Sequence, residues 1–149
     1  MGSINTSRVL IGGLLAGLVM NVIDFIVNVP LLGSYWEAET RALNVPIEQM
    51  AATSAAGWIT SDFLLGIMLV YVYAAIRPRF GPGPGTAACA ALVVWTISHV
   101  AYASFVFLGL YSMKVVGSSA LGGLVAAVAG SQVGCRFYKE EETRSTARV

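Results

Sequence analysis

Three polar side chains recur within an otherwise apolar stretch near the start of the chain. Asn21, Asp24 and Asn28 follow one another at intervals of three and four residues, and Leu, Ile, Val, Met and Phe fill most of the positions around them. On a helix this spacing places all three on one face. A carboxyl group beside amides in apolar surroundings can exchange a proton or bind a small cation, because an ionised group there needs a partner or water.

Other polar residues occur in later apolar stretches at similar distances from the predicted membrane surfaces. His99 is the only histidine of the chain, Asp62 lies in the second stretch, and Ser118 and Ser119 lie in the fourth. Counting residues from the ends of each stretch places all of them at about the depth of Asp24. We therefore predict one polar cluster in the outer half of the bundle that binds a ligand or a proton, made of Asn21, Asp24, Asn28, Asp62, His99 and Tyr102. Within it Asp24 is expected to be protonated, paired with His99 or in contact with water.

Four apolar segments carry these residues, at about 9–32, 57–76, 87–110 and 115–135. The first has 24 residues, which as a helix span roughly 36 Å and exceed the roughly 30 Å of bilayer hydrocarbon. The chain is 56% hydrophobic and 11% charged, with a mean hydropathy of +0.73, whereas soluble domains have about 25% charged residues. The prediction is an all-α polytopic membrane protein, with four transmembrane helices in one compact bundle over residues 1–149 and a polar tail at 138–149.

The basic residues predict the orientation of the spans. With the N-terminus inside, seven of the nine basic residues are cytosolic, namely Arg8, Arg77, Arg79, Arg136, Lys139, Arg144 and Arg148. Cytosolic loops carry the excess of Lys and Arg in membrane proteins. We therefore expect a multi-pass protein of the cell inner (cytoplasmic) membrane with both termini cytosolic. Tyr35, Trp36, Trp58 and Tyr111 would lie at the outer interface, where aromatic residues are enriched.

Proline and glycine residues predict where the helices end. Pro30 and Gly33 are expected to end the first helix, and a further helix is expected to begin at Pro46 and continue into the second span. The connection over residues 33–56 would then be partly helical. The Gly-Pro alternation at 81–85 predicts a loop that continues neither neighbouring helix, and a short helix is expected over 137–143.

Small residues recur on the predicted helices and indicate close packing between them. The helix-packing positions are Gly13, Gly17, Gly66, Gly123 and Gly130. Shifting the chain by 57 residues aligns Ser61 with Ser118 and Gly66 with Gly123. The bundle is therefore either two related parallel hairpins or four unrelated spans.

Several function classes are not supported by the sequence. A single histidine excludes haem held by two histidines, and Cys89 and Cys135 lack the spacing of a metal or redox motif. No metal site and no cofactor are predicted. The net charge of +1 gives no indication of a nucleic-acid partner.

Three hypotheses for the polar cluster remain. In the first, it binds or transports a small solute, proton or ion. In the second, the polar residues are interhelical hydrogen-bond glue in a structural or accessory subunit, which forms a homo-oligomer or joins a partner membrane subunit through its glycine faces. In the third, Asp24, His99 and Tyr102 perform acid-base chemistry on a lipid.

Overall fold

The computed structural model describes residues 4–44 and 47–140, with the side chains of residues 47–53 left aside. This part of the chain consists of helices and turns. In order, the elements are α1 (Thr6–Ile26), a π-helix (Val27–Leu31), α2 (Gly33–Ala42), α3 (Ile47–Phe80), α4 (Pro84–Tyr102), α5 (Ser104–Phe107), α6 (Met113–Gly134) and a short 3-10 helix (Cys135–Phe137). Four helical stretches are long and apolar enough to cross a membrane, at Thr6–Leu31, Ser54–Phe80, Pro84–Phe107 and Met113–Phe137. The predicted all-helical class with four span-length helices is thus confirmed.

The four long helices form an up-and-down bundle. Helix α1 packs against α3 and α6, and α4 packs against the same two helices, so that α1 and α4 are diagonal to each other. The first and last helical residues and the turn between α3 and α4 lie at one end, which we call the termini end. Helix α2 and the turn between α5 and α6 lie at the other, which we call the α2 end.

Glycines bring the backbones of α1 and α3 into direct contact. A Cβ atom added to Gly66 would lie 2.5 Å from the carbonyl oxygen of Gly13 and 2.5 Å from the nitrogen of Gly17. One added to Gly17 would lie 2.7 Å from Cα of Phe63. No side chain fits in this contact, so these positions fix how closely the two helices approach.

The interface of α1 with α6 is equally close. A Cβ atom on Gly130 would lie 2.9 Å from the carbonyl oxygen of Ala16, and one on Gly134 would lie 2.5 Å from that of Gly12. Gly123, nearer the start of α6, instead meets the ring of His99. The predicted helix-packing glycines therefore lie at contacts between helices of the same chain.

The first helical stretch ends at Leu31, between Pro30 and Gly33 as predicted, but its last turn was not predicted. Around Pro30 the chain widens into a π-helix in which the N–H of Leu32 donates to the carbonyl of Val27 at 2.9 Å. Proline has no N–H and its ring crowds the carbonyl four residues earlier, and a wider turn relieves both conflicts. Gly33 then begins α2. The connection to α3 is partly helical, as expected, but Pro46 lies outside the described residues.

The third apolar segment is not one helix as far as residue 110. Helix α4 ends at Tyr102, and after the single turn of α5 the chain reverses at Gly109, whose φ is +69°. The hydroxyl of Ser104 donates to the carbonyl of Ala101 at 2.6 Å, a local bond that competes with continued helix.

Two other predicted boundaries also shift. The glycine-proline loop covers only Gly81–Gly83, because Pro84 begins α4 in the first turn, where its missing N–H has no cost. At the C-terminal end, residues 138–140 are not helical, and the remainder of the predicted helix over 137–143 lies outside the described residues.

Candidate functional site

Two acidic side chains meet between α1 and α3. The carboxyl groups of Asp24 and Asp62 lie close enough to share a hydrogen bond if one of them is protonated; Asp24 is half-buried and Asp62 is only 8% exposed. Within the described ranges neither carboxyl has another hydrogen-bond partner. Two ionised carboxylates can only accept hydrogen bonds, so a pair in contact needs a proton or another cation between its oxygens.

The position of this acid pair follows from the glycine contact. Asp62 lies one turn from Gly66 on α3, and Asp24 lies two turns from Gly17 on α1. Between them the side-chain amide of Asn21 donates to the carbonyl of Gly17 at 2.9 Å and to that of Ile59, on α3, at 3.3 Å. Asn21 therefore fastens α1 to α3 beside the pair.

Asn28 connects the first helix to α2 and α6 directly and to α4 through Ser119. Its amide nitrogen donates to the backbone carbonyl of Asp24 at 3.1 Å, one turn earlier. Its amide oxygen accepts from the indole N–H of Trp36 at 3.1 Å and from the hydroxyl of Ser119 at 2.7 Å. The hydroxyl of Tyr102 donates to Ser119 at 3.5 Å, which extends the chain of polar contacts to α4. Asn28 is therefore the hub of the polar cluster.

His99 lies near this hub but does not pair with Asp24. Its Nδ1 lies 2.9 Å from the carbonyl oxygen of Trp95 and 3.1 Å from the hydroxyl of Ser98, both on its own helix. The ion pairs of the described segments are Arg41 with Glu37 and Arg77 with Glu140. The pairing considered from the sequence is thus not formed, because α4 is diagonal to α1 and the imidazole turns back to its own backbone.

Aromatic rings connect Tyr102 to the α2 end. Tyr102 packs edge to face on Trp58 and on Phe105, at centroid distances of 6.1 and 5.5 Å. Phe105 packs on Tyr111 at 6.1 Å, and Tyr111 packs on Trp36 at 5.1 Å. These rings join α2, α3, α4 and α5. Three of them were expected as an interfacial belt, but their contacts with one another were not.

A cavity of about 280 Å³ opens between α4, α5 and α6. Its walls are mostly apolar and include Trp95, His99 and Tyr102 but neither Asp24 nor Asp62. Of the six predicted site residues, the structure therefore joins Asn21, Asp24, Asn28 and Asp62 around the interface of α1 and α3. It joins Tyr102 to them through Ser119 and leaves His99 at the cavity.

Trp36 is the site residue that sequence reasoning missed. It follows Asn28 by eight residues, and the π-helix and the turn at Leu32 bring its indole to the Asn28 amide, a contact that residue spacing alone does not predict. In the described part of the chain, no group of three or more His, Cys, Asp or Glu side chains is placed to hold a metal ion. Comparison of the chain with protein-family models, with curated proteins and with solved structures finds no match.

Proposed function

We propose that the chain is a four-span integral membrane protein in which Asp24 and Asp62 bind a proton or a small monovalent cation that exchanges with the side of the membrane at the α2 end. The observation that carries this proposal is the contact between two carboxyl groups, one of them 8% exposed, with no other hydrogen-bond partner in the described segments. Such a pair is stable only with positive charge between its oxygens.

The surface of the bundle supports placement in a membrane. Large apolar side chains point outward along the long helices, and Phe25, Ile97 and Val100 are each more than 60% exposed. The termini end carries most of the basic residues, which favours a cytosolic position for it and an external position for the α2 end. The acid pair lies nearer to the α2 end, so exchange with the outside is the shorter path.

The other polar residues favour a second function, a structural subunit held together by interhelical hydrogen bonds. Asn21 bonds to α3 and Asn28 bonds to α6, and both amides have protein partners. Bonds of this kind are worth about 0.6 to 2 kcal/mol each in membrane proteins. The acid pair does not fit that role, because a serine or asparagine at either position would make the same contact without requiring a cation.

Unfolding of the full-length protein in detergent tests the proposal. For the wild type we expect the free energy of unfolding to fall as the pH rises in sodium-free buffer, because loss of the shared proton leaves two carboxylates in contact. Sodium ions should restore part of the lost stability if they replace the proton. The double variant Asp24→Asn/Asp62→Asn should lose both responses.

The matched control is Glu37→Gln, which removes an exposed carboxyl group of α2 that bonds only to Arg41 on the same helix. It should keep both responses. If the double variant responds to pH and sodium like the wild type, the acid pair is not the binding site. Voltage-driven uptake of protons or radioactive sodium into liposomes then distinguishes a transporter from a protein that only binds the cation.

A further inference from the structure

Helix α2 is fastened to the start of α6 by a carboxylate. Glu39 accepts hydrogen bonds from the backbone N–H of Ser112 at 2.8 Å and from its hydroxyl at 2.5 Å. Ser112 is the N-cap of α6, and its hydroxyl in turn accepts from the N–H of Val115. A negative charge at a helix N-terminus is favourable because the free N–H groups there carry partial positive charge. This contact joins elements that are 73 residues apart in sequence.

Side chains on both sides of Glu39 reinforce the contact. Thr40 bonds to the hydroxyl of Tyr111 at 3.3 Å, and the ammonium group of Lys114 lies 4.5 Å from the ring centroid of Tyr35. Both are contacts between α2 and the start of α6 or the turn before it. Helix α2 therefore closes the α2 end as a strap from α1 to α6.

Irregular backbone flanks α2 on both sides. The π-helix precedes it, and Asn44, just beyond its end, has a φ of +55°. Hinges are short segments at element ends that take up large backbone changes while the element moves as a unit. The polar side chains and exposed positions of α2 allow it to leave the bundle without exposing a large apolar core.

The inner side of α2 contacts the hub of the proposed site. The indole N–H of Trp36 donates a hydrogen bond to the amide oxygen of Asn28. The amide nitrogen of Asn28 donates in turn to the backbone carbonyl of Asp24. Amide oxygens are common ligands of hard monovalent and divalent cations. When Trp36 moves away, one lone pair of this oxygen becomes free for a cation that approaches Asp24.

We propose that α2 is a lid that gates access to the acid pair from the α2 end, and that an entering cation competes with the indole of Trp36 for the amide oxygen of Asn28. This inference rests on the proposed function, since it concerns the regulation of the same site. In the closed state Glu39 holds the lid on α6, and opening breaks the bonds of Glu39 and Trp36 together.

The rate of carboxyl modification by a water-soluble carbodiimide measures access to the pair in the full-length protein in liposomes. Peptide mass spectrometry separates the peptides of Asp24 and Asp62 from those of the exposed acids. The variant Glu39→Gln should raise the rate at Asp24 and Asp62 about tenfold, the factor expected from losing one charge-assisted hydrogen bond. Glu37→Gln is the matched control, because Glu37 bonds only within α2, and its rate should equal that of the wild type.

A locked lid gives the opposite result. Glu39→Cys with Ser112→Cys, in a chain whose Cys89 and Cys135 are replaced by Ser and Ala, can be joined by a cleavable bifunctional thiol reagent. Cross-linking should slow the modification and slow cation uptake, and cleavage of the linker should restore both. Equal rates in the wild type, Glu39→Gln and the cross-linked protein would overturn the lid while leaving the site intact. Lack of any pH or sodium response in the wild type would instead overturn the proposed function.

Discussion

Asp24 and Asp62 bring their carboxyl groups together across an interface in which glycines set the approach of the two backbones. The contact depends on how closely α1 and α3 approach, which Gly66 and Gly17 determine one and two turns away. Packing and chemistry are therefore coupled in this part of the bundle. Substitution of a glycine in this contact should therefore alter the binding of a proton or cation by Asp24 and Asp62.

Gly66→Ala should separate α1 from α3. The added methyl would lie 2.5 Å from two backbone atoms, and overpacking of this kind costs about 1–3 kcal/mol. We expect a lower unfolding temperature in detergent and a weaker response to pH and sodium. Gly57→Ala, on the same helix with no atom within 4 Å, should be neutral or more stable by about 0.5–1 kcal/mol. Equal stabilities of the two variants would contradict the glycine contact.

The shared proton should be visible by infrared spectroscopy. In sodium-free buffer the wild type should show the carbonyl stretch of a protonated carboxyl group in an apolar site, since the proposed site holds a proton between the two acids. Asp24→Asn/Asp62→Asn should lose this band and Glu37→Gln should keep it. A wild-type spectrum without the band would show that both acids are ionised.

Ser119→Ala should weaken the link between α1 and α6. It removes the hydroxyl that donates to Asn28 at 2.7 Å and accepts from Tyr102, at a cost of about 0.6–1.7 kcal/mol. Denaturation of the purified protein measures this loss. Ser118→Ala, at the adjacent position of α6, is the control and should change stability less. The reverse order would show that Asn28 has a different partner.

His99→Phe should leave the cation response intact. The imidazole bonds to its own helix and forms no ion pair with Asp24, and phenylalanine can keep the stacking on Trp95, whose centroid is 4.9 Å away. The pH and sodium dependence of unfolding should therefore match that of the wild type, even where overall stability falls. Loss of the response would place His99 in the binding site after all.

Labelling of single cysteines in intact cells should establish the orientation. In a chain without Cys89 and Cys135, Leu110→Cys at the α2 end should react with a membrane-impermeant maleimide. Pro82→Cys, in the turn between α3 and α4, should react only after the membrane is permeabilised. The opposite pattern would place the termini end, and its basic residues, outside.

The sequence predicted the positions of the helices better than it predicted which helices pack against each other. Length and hydropathy identify four span-length segments, and the period of three to four residues places Asn21, Asp24 and Asn28 on one face. The depth of a residue in its span, however, does not indicate which helices pack against each other. Asp24 and His99 were expected at the same level, but their helices are diagonal, and Asp62 is the acid that Asp24 meets.

Two local features were beyond sequence reasoning for a different reason. Pro30 normally ends a helix, and nothing in the residue types around it indicates that the chain widens instead. Trp36 was assigned to the membrane surface, and its bond to Asn28 was not predicted, because the direction of the chain after Leu31 depends on this wider turn. An unpredicted backbone geometry thus left one residue out of the predicted site.

The π-helix has a consequence for how the chain tolerates length changes. A π turn accommodates one more residue than an α turn, so everything after Leu31 is rotated by about 100° relative to a regular continuation. Deleting Val29 would restore the regular winding and swing the indole of Trp36 away from the amide it now contacts. A single-codon deletion would therefore break the contact between Asn28 and Trp36 while leaving both residues in the chain.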